Sequence, residues 1–288
     1  VARIKPRFNA DVNSWWICDA GRYGFRWIDD DSRLVSPLRR DGGRQVETTW
    51  DDALAALAGA LTRSRPEEIG ILASPQMANE DLFLLTRLAD HLGVRGVDYR
   101  VPPKTAGDED NFLIRADKNP NSRGAELCGL GPGPGGLDTR GILKAAAERR
   151  IKLLWIFQHD LLQSAWAEAD VRAALDGAET LVFQGPGAND TSARAHLVLP
   201  SAAYAEREGT FTNFEGRVQR FRTAVDPLGE ALPDWEMLER LGRALGATGA
   251  AFAAERAEQI FAALAGTVAA FAGMTYRALG DAGLMVKS

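Results

Sequence analysis

Ile151-Lys-Leu-Leu-Trp-Ile-Phe157 decides the fold class. Apolar but for Lys152, the run is too short for an ordinary helix, and a strand that carries apolar residues on both faces belongs in the centre of a parallel sheet covered on both sides. Its flanks agree. Asp138 or Thr139 caps a helix predicted to run through Arg150, and a second helix spans about Ala165 to Leu175, closed by Gly177. Thr180 to Gln184 reads as the next strand, and Ala195-His-Leu-Val-Leu-Pro200 as a short one after it. Gln158-His-Asp160 follows directly on the central strand, at the carboxyl edge where open α/β sheets bind ligands. Gln158, His159 and Asp160 are therefore candidate site residues; a loop cluster whose polar groups satisfy one another is the alternative reading.

The same unit occurs once upstream. Thr49 caps a helix with Asp52 three residues on, and Leu54, Leu57, Ala58 and Leu61 share one face. Ile69 to Ser74 reads as a buried strand, Asn79 to Leu92 as a helix with Leu85, Leu88, Ala89 and Leu92 inward and Gly93 at its end, and Val94 to Val101 as another strand. Strand, helix, strand in this order implies a parallel crossover connection. His91 reads as a surface residue.

Residues 102–137 read as mostly loop, with an acidic run at Asp108 to Asp110 and a Gly131-Pro-Gly-Pro-Gly-Gly136 stretch. The prolines there remove backbone donors and no Walker lysine follows, so a phosphate cradle is not expected. Cys128 has no electropositive neighbour in sequence and reads as structural. Residues 1–47 show no helical period. Trp15, Trp16 and Trp27 with Phe8, Tyr23 and Phe25 predict short strands packed around aromatic side chains. Near the other end, Asp234 is expected to cap a helix bearing Trp235, Leu238, Gly242 and Leu245. Ile260 to Tyr276 is uncharged but too poor in strongly apolar residues to span a bilayer, and Phe261, Leu264, Val268 and Phe271 at helical spacing predict a buried helix instead.

The chain has 288 residues, of which 45% are hydrophobic and 25% charged, enough for one large or two modest cores. Its net charge of −5, with Lys and Arg scattered, argues against a nucleic-acid partner. Two cysteines, Cys18 and Cys128, exclude a disulfide framework and point to a reducing, cytoplasmic setting. Nothing at Val1 to Phe8 marks export, and the missing initiator Met points to a fragment or a processed chain.

Glu206-Arg-Glu-Gly-Thr-Phe-Thr-Asn-Phe-Glu-Gly-Arg-Val-Gln-Arg-Phe221 predicts a hairpin turning at Asn213-Phe214-Glu215-Gly216. Together with Pro200-Ser-Ala-Ala and Pro227-Leu-Gly-Glu-Ala-Leu-Pro-Asp-Trp235, it resembles the molybdopterin oxidoreductase family, in particular the degenerate, cofactor-free branch found in NADH-quinone oxidoreductase (respiratory complex I). Asp117-Lys-Asn-Pro-Asn-Ser-Arg-Gly-Ala carries the same likeness. In cofactor-bearing members the hairpin segment lies beside the pterin nucleotide, so the resemblance implies vestigial pterin-side positions at Thr210, Asn213, Glu215, Arg217 and Gln219. No recognisable metal ligand accompanies them, and no molybdopterin is expected in this chain. Freed of a cofactor, Asn213, Glu215, Arg217 and Gln219 should satisfy one another or nearby backbone, and an internal Glu–Arg pair is expected.

Val12-Asn-Ser-Trp-Trp-Ile-Cys-Asp-Ala-Gly-Arg-Tyr-Gly24 resembles the end of the family's iron–sulfur domain. The resemblance makes Cys18 the fourth ligand of a 4Fe-4S cluster, provided that three cysteines precede it; a lone cysteine by itself is more often a small buried hydrophobe. The expected organisation is therefore the end of an iron–sulfur-type β module at 1–47, a parallel α/β domain flanked by helices at 48–250 and a helical extension at 251–288. The implied function is that of a scaffold subunit in the peripheral arm of NADH-quinone oxidoreductase, held among other peripheral-arm subunits and tied to the inner membrane through them, with no catalysis of its own. An active enzyme of formate dehydrogenase type and a protein-binding assembly module are the alternatives.

Overall fold

The computed structural model describes residues 1–102, 109 and 115–287, so the acidic run lies outside the described residues except for Glu109. Seven strands form the main sheet: β1 (Leu38–Asp41), β2 (Arg44–Glu47), β3 (Ile69–Leu72), β4 (Gly96–Asp98), β5 (Leu153–Phe157), β6 (Thr180–Gly185) and β7 (Leu197–Pro200). Their order is β2-β1-β7-β6-β5-β3-β4. The five strands from β7 to β4 are parallel, in register at Ile69↔Leu153 and Leu153↔Thr180, and β1 joins β7 antiparallel.

The central strand explains the layering. Leu153, Trp155 and Phe157 face one core, and Leu154 and Ile156 the other. The first core is closed by α2 (Trp50–Arg63), α3 (Asn79–Leu92), α7 (Asp234–Ala244) and α8 (Ala257–Thr267), the second by α5 (Thr139–Ala147) and α6 (Glu168–Gly177). Period-two alternation thus feeds apolar side chains to both helical layers, as a doubly covered parallel sheet requires. Thr49 caps α2, its Oγ1 accepting from Asp52 N at 3.1 Å, and Gly93, at φ +70°, takes the left-handed conformation that closes α3. The order of strands reverses between β3 and β5, with β4 added on one side and β6 on the other, which places the topological switch point there.

Several local expectations differ. A short helix, α4 (Ser122–Leu127), stands in the region read as loop, anchored by buried Asn121, which donates to Met77 O at 2.8 Å and accepts from Thr212 N at 2.7 Å. In the front segment a single-turn helix, α1 (Asp19–Tyr23), follows Cys18. The segment's aromatics are packed unevenly: Phe25 lies against the small cluster of Ile28, Ala203 and Ala205, while Trp15, against Phe8, is 68% exposed and Trp16 and Tyr23 are 62% exposed. Asp234 does not cap α7; it is the first residue of the helix, and its side chain turns into the interior. The uncharged stretch near the end is divided: its first part completes α8, with Ile260, Phe261 and Leu264 in the core, the helix ends at Thr267, and Phe271 reaches the core from a separate single turn. Among the described residues no helix is long and apolar enough to cross a membrane. His91 is exposed and Cys128 is buried against Asn79 O, as read from sequence; burial pushes the Cys128 thiol far above its ordinary value.

The hairpin forms as expected. β8 (Gly209–Thr212) pairs with β9 (Arg217–Phe221), Gly216 N donates to Asn213 O at 2.9 Å, and Asn213 Oδ1 accepts from Arg217 N at 2.8 Å. β10 (Leu284–Met285) adds a third strand, and α9 (Tyr276–Leu279) precedes it. The expected Glu–Arg pair does not involve the turn residues: Glu215 points to solvent, and Arg217 reaches Asp11 Oδ2 at 3.1 Å. A turn this tight directs the two side chains apart, while the front segment passes within reach of Arg217. The pair that does cross the hairpin joins Arg220 to Glu208 at 2.7 Å, near its open end.

Candidate functional site

The carboxyl ends of β3, β5, β6 and β7 open onto a cavity of about 800 Å³. Its polar wall includes Gln76, Gln158, Asn189 and Arg207, and Trp27 and Tyr204 supply aromatic surface, their rings 6.0 Å apart. This volume is in the range of small-molecule and cofactor pockets, and the lining mixes apolar faces with a few convergent polar groups as such pockets do.

Beneath the cavity lies a cluster of fully buried charges. Arg207, 3% exposed, contacts Asp81 through Nη1 and stands 3.9 Å from Asp234 Oδ2; both aspartates have no exposure. Asp234 accepts from Gln158 Nε2 at 2.7 Å, Gln184 Nε2 at 2.6 Å and Ser201 Oγ. Asp81 accepts from Ala78 N at 2.7 Å, at the start of α3, and from Trp235 N at 2.9 Å, at the start of α7. Two helix N-termini therefore converge on one carboxylate. Their partial positive charge and the guanidinium together offset the two aspartates, which accounts for carboxylates where apolar side chains would be expected. The balance is incomplete at Asp234: burial, with nearby Asp81 adding to it, pushes its carboxyl up to about 6 despite Arg207. Burial works against the Arg207 charge as well, yet Asp81 and Asp234 hold its guanidinium above its ordinary value.

Glu80, one residue earlier and equally buried, is held by neutral donors. It accepts from Thr210 N, Thr210 Oγ1 and Tyr276 Oη, each at 2.9 Å, and burial pushes it up to about 7. Asn79 completes the row by donating to Thr210 Oγ1 and Thr212 Oγ1 at 3.0 Å. A second buried pair, Arg33 with Glu206 in a bidentate fork at 3.0 and 2.7 Å, ties the front segment to the start of the hairpin.

The structure separates the residues singled out from sequence. Gln158 lines the cavity in a left-handed conformation, φ +57°, uncommon for a residue with a side chain and concentrated at functional positions. His159 turns away: its Nε2 lies 3.1 Å from Ala73 O, and burial pushes the ring down to about 4, so it is neutral at ordinary pH. Asp160 is held by Thr191 Oγ1 at 2.9 Å and Leu162 N. In the hairpin, Thr210 is buried on Glu80, Asn213 shapes the turn, Glu215 faces solvent and Arg217 is committed to Asp11; Phe211 is the strand residue that reaches the cavity. Gln219 is half-buried beside β10. Sequence reasoning misses Asn79, Glu80, Asp81, Arg207 and Asp234. Their one signal is position, since a polar trio directly after a buried strand and its turn lies at the carboxyl edge of the sheet.

The groups implied by resemblance fit unequally. Cys18 is exposed, its Sγ accepting from Gly21 N at 3.3 Å, and Gly21 itself lines the cavity. A 4Fe-4S cluster takes four cysteine ligands where this segment offers one sulfur, and among the described residues no group of three or more His, Cys, Asp or Glu side chains is placed to hold a metal. The cavity is large enough for a flat heteroaromatic ligand, and its amides could read such a ligand's edge.

With this geometry, the chain belongs to the molybdopterin oxidoreductase family, whose model matches residues 33–111 and 133–244. It is 40% identical over 152 residues to F420-dependent formate dehydrogenase 2 subunit alpha of Methanococcus maripaludis, covering 52% of this chain and 22% of that one. It is 41% identical over 98 residues to NADH-quinone oxidoreductase subunit 3 of Thermus thermophilus, covering 34% and 12%. To the mitochondrial NADH-ubiquinone oxidoreductase 78 kDa subunit of Candida albicans it is 25% identical over 357 residues, covering 86% and 49%. Among solved structures, acetylene hydratase from Pelobacter acetylenicus shares the fold, with a TM-score of 0.64 and 12% identity over 100% of this chain and 70% of that one. The chain thus spans from about an eighth to half the length of these curated relatives.

Proposed function

We propose that this chain is part of a peripheral-arm subunit of an NADH-quinone oxidoreductase, a family scaffold that supports iron–sulfur electron transfer from NADH to quinone. The observation that carries this reading is the reach of the likeness: it extends over 86% of the chain for an NADH-ubiquinone oxidoreductase 78 kDa subunit, against 52% for a formate dehydrogenase alpha subunit. In this role a 4Fe-4S cluster would supply one-electron transfer. Cys18 would hold one of its irons, with three thiolates from elsewhere in the protein. The exposed Trp15, Trp16 and Tyr23 would be covered by other peripheral-arm subunits, through which the protein is held at the inner membrane.

A second reading keeps the pterin nucleotide, and the cavity of about 800 Å³ at the switch point favours it. Metal analysis of the full-length protein, expressed with molybdenum supplied, separates the two. The proposed function expects iron, copurifying arm subunits and no stoichiometric molybdenum. It also expects Cys18→Ala to lose one 4Fe-4S signal by electron paramagnetic resonance. Stoichiometric molybdenum, or an undiminished cluster signal in Cys18→Ala, overturns it.

A further inference from the structure

Gln158 is held at the cavity wall by a hydrogen bond from Nε2 to Asp234 Oδ2 at 2.7 Å. An ionised carboxylate can only accept, so while Asp234 is charged the amide must turn its NH2 inward, leaving Oε1 toward the cavity. The same constraint acts on Gln184, whose Nε2 donates to Asp234 Oδ1 and whose buried Oε1 has no hydrogen-bond partner among the described residues. Among the described residues Oδ1 accepts from Gln184 and Ser201, whereas Oδ2 accepts a hydrogen bond from Gln158 and otherwise faces Arg207 Nη1 at 3.9 Å. A proton on Oδ2 therefore displaces one donor, and a proton on Oδ1 would disturb two.

We infer that Gln158 is the specificity-determining residue of the cavity and that Asp234 sets its polarity: with Asp234 ionised the wall presents the Gln158 carbonyl, and with Asp234 neutral it presents the Gln158 NH2. A proton on Oδ2 points at Gln158, where only Oε1 can accept it, and the amide turns over to bring Oε1 in. No covalent bond changes, and the proton comes from solvent. Among the described residues the charged groups facing Asp234 are Arg207, from the segment before β8, and Asp81, from α3; the remaining partners, Gln184 in β6 and Gln158 and Ser201 directly after β5 and β7, are neutral. Arg207 is shared between two carboxylates, and the buried site titrates in a range that solvent pH reaches. The ligand class follows. Above the Asp234 titration the cavity takes a molecule with an N–H or O–H donor at this wall, and below it one with a carbonyl or other acceptor. The inference concerns the ligand-free chain and stands whether or not the proposed function holds.

The test is a pH titration, from 5 to 8, of the side-chain NH2 signals in the 15N-glutamine-labelled chain, with Gln158 assigned by its loss in Gln158→Met. The Gln158 pair is expected to shift with a single inflection that follows the Asp234 carboxyl carbon, protected from solvent exchange at high pH and exposed at low pH. Asp234→Asn is expected to abolish the inflection. If that variant does not fold, the wild-type titration decides alone. A Gln158 pair that keeps its shift and protection while Asp234 titrates overturns the inference, as does an Asp234 carboxyl that does not titrate in this range.

Discussion

Replacing Arg207 by Met removes the cation shared by Asp81 and Asp234 while filling most of its volume. Both aspartates are without exposure, so the loss is that of breaking a buried charge pair, about 3–5 kcal/mol. One carboxyl can escape by taking a proton. In the intact cluster Asp234 is held at about 6, so neutralising it at pH 8 requires about 3 kcal/mol, and almost nothing at pH 6. Losing Arg207 raises that carboxyl further, so the folded variant binds more protons than the wild type between pH 6 and 8, and its relative stability falls as pH rises. The expected result is a loss near the top of the range at pH 8, shrinking to about 1–2 kcal/mol at pH 5.5. Guanidinium unfolding followed by circular dichroism at the two pH values measures both. A loss under about 1 kcal/mol at pH 8, or one independent of pH, would refute the charge balance drawn between Arg207 and the converging helix ends.

Three further outcomes are expected. Glu80 and Asp234 sit above their unfolded values, so their neutral forms stabilise the fold at low pH and that contribution is lost as pH rises through about 6 and 7; His159, held near 4, acts in the opposite sense below 6.5. Wild-type unfolding midpoints should therefore decline between pH 6.5 and 8, and Glu80→Gln should flatten the decline; a rise over this window counts against the assignment. Arg217→Ala breaks a pair with Asp11, whose side chain is 63% exposed, and should cost less than about 1 kcal/mol in thermal unfolding. Gly124→Ala should cost about 1–3 kcal/mol by the same measurement, because an added Cβ would stand 2.1 Å from the amide oxygens of both Asn79 and Asn121.

The layers of the fold were legible because they rest on periodicity. Leu153 to Phe157 and the Leu85, Leu88 and Ala89 stripe carry their burial in their spacing, and Gly93 and Thr49 mark helix ends by chemistry that acts locally. The floor of the site was not, for a related reason. Acidic residues in the first turn of a helix ordinarily face water and interact with the local dipole, so Glu80, Asp81 and Asp234 look like routine capping. What buries them comes from far along the chain: Arg207 lies 126 residues beyond Asp81, and Tyr276 lies 196 beyond Glu80. No local pattern encodes such partners. In the front segment aromatic density predicts packing that only part of it shows: Phe25 and Trp27 pack on Ile28 and Tyr204, whereas Trp15 and Trp16 stand largely at the surface.

The carboxylate shared by two helix ends also bears on the order in which the chain can fold. Asp81 serves α3 locally through Ala78, but its other oxygen receives Trp235 N, 154 residues later. During synthesis at about 5–20 residues per second, roughly 8–30 s pass before that partner exists. Until then α3 has a polar first turn that Arg207, the hairpin strand β8, α7 and Tyr276 have yet to bury. The half of the chain that emerges first should therefore stay partly open, its apolar stripe accessible to a chaperone, and the docking of α7 should be a late, slow event. Hydrogen exchange can show this directly: the Trp235 amide should gain protection together with the first turn of α3 and after the amides of β5.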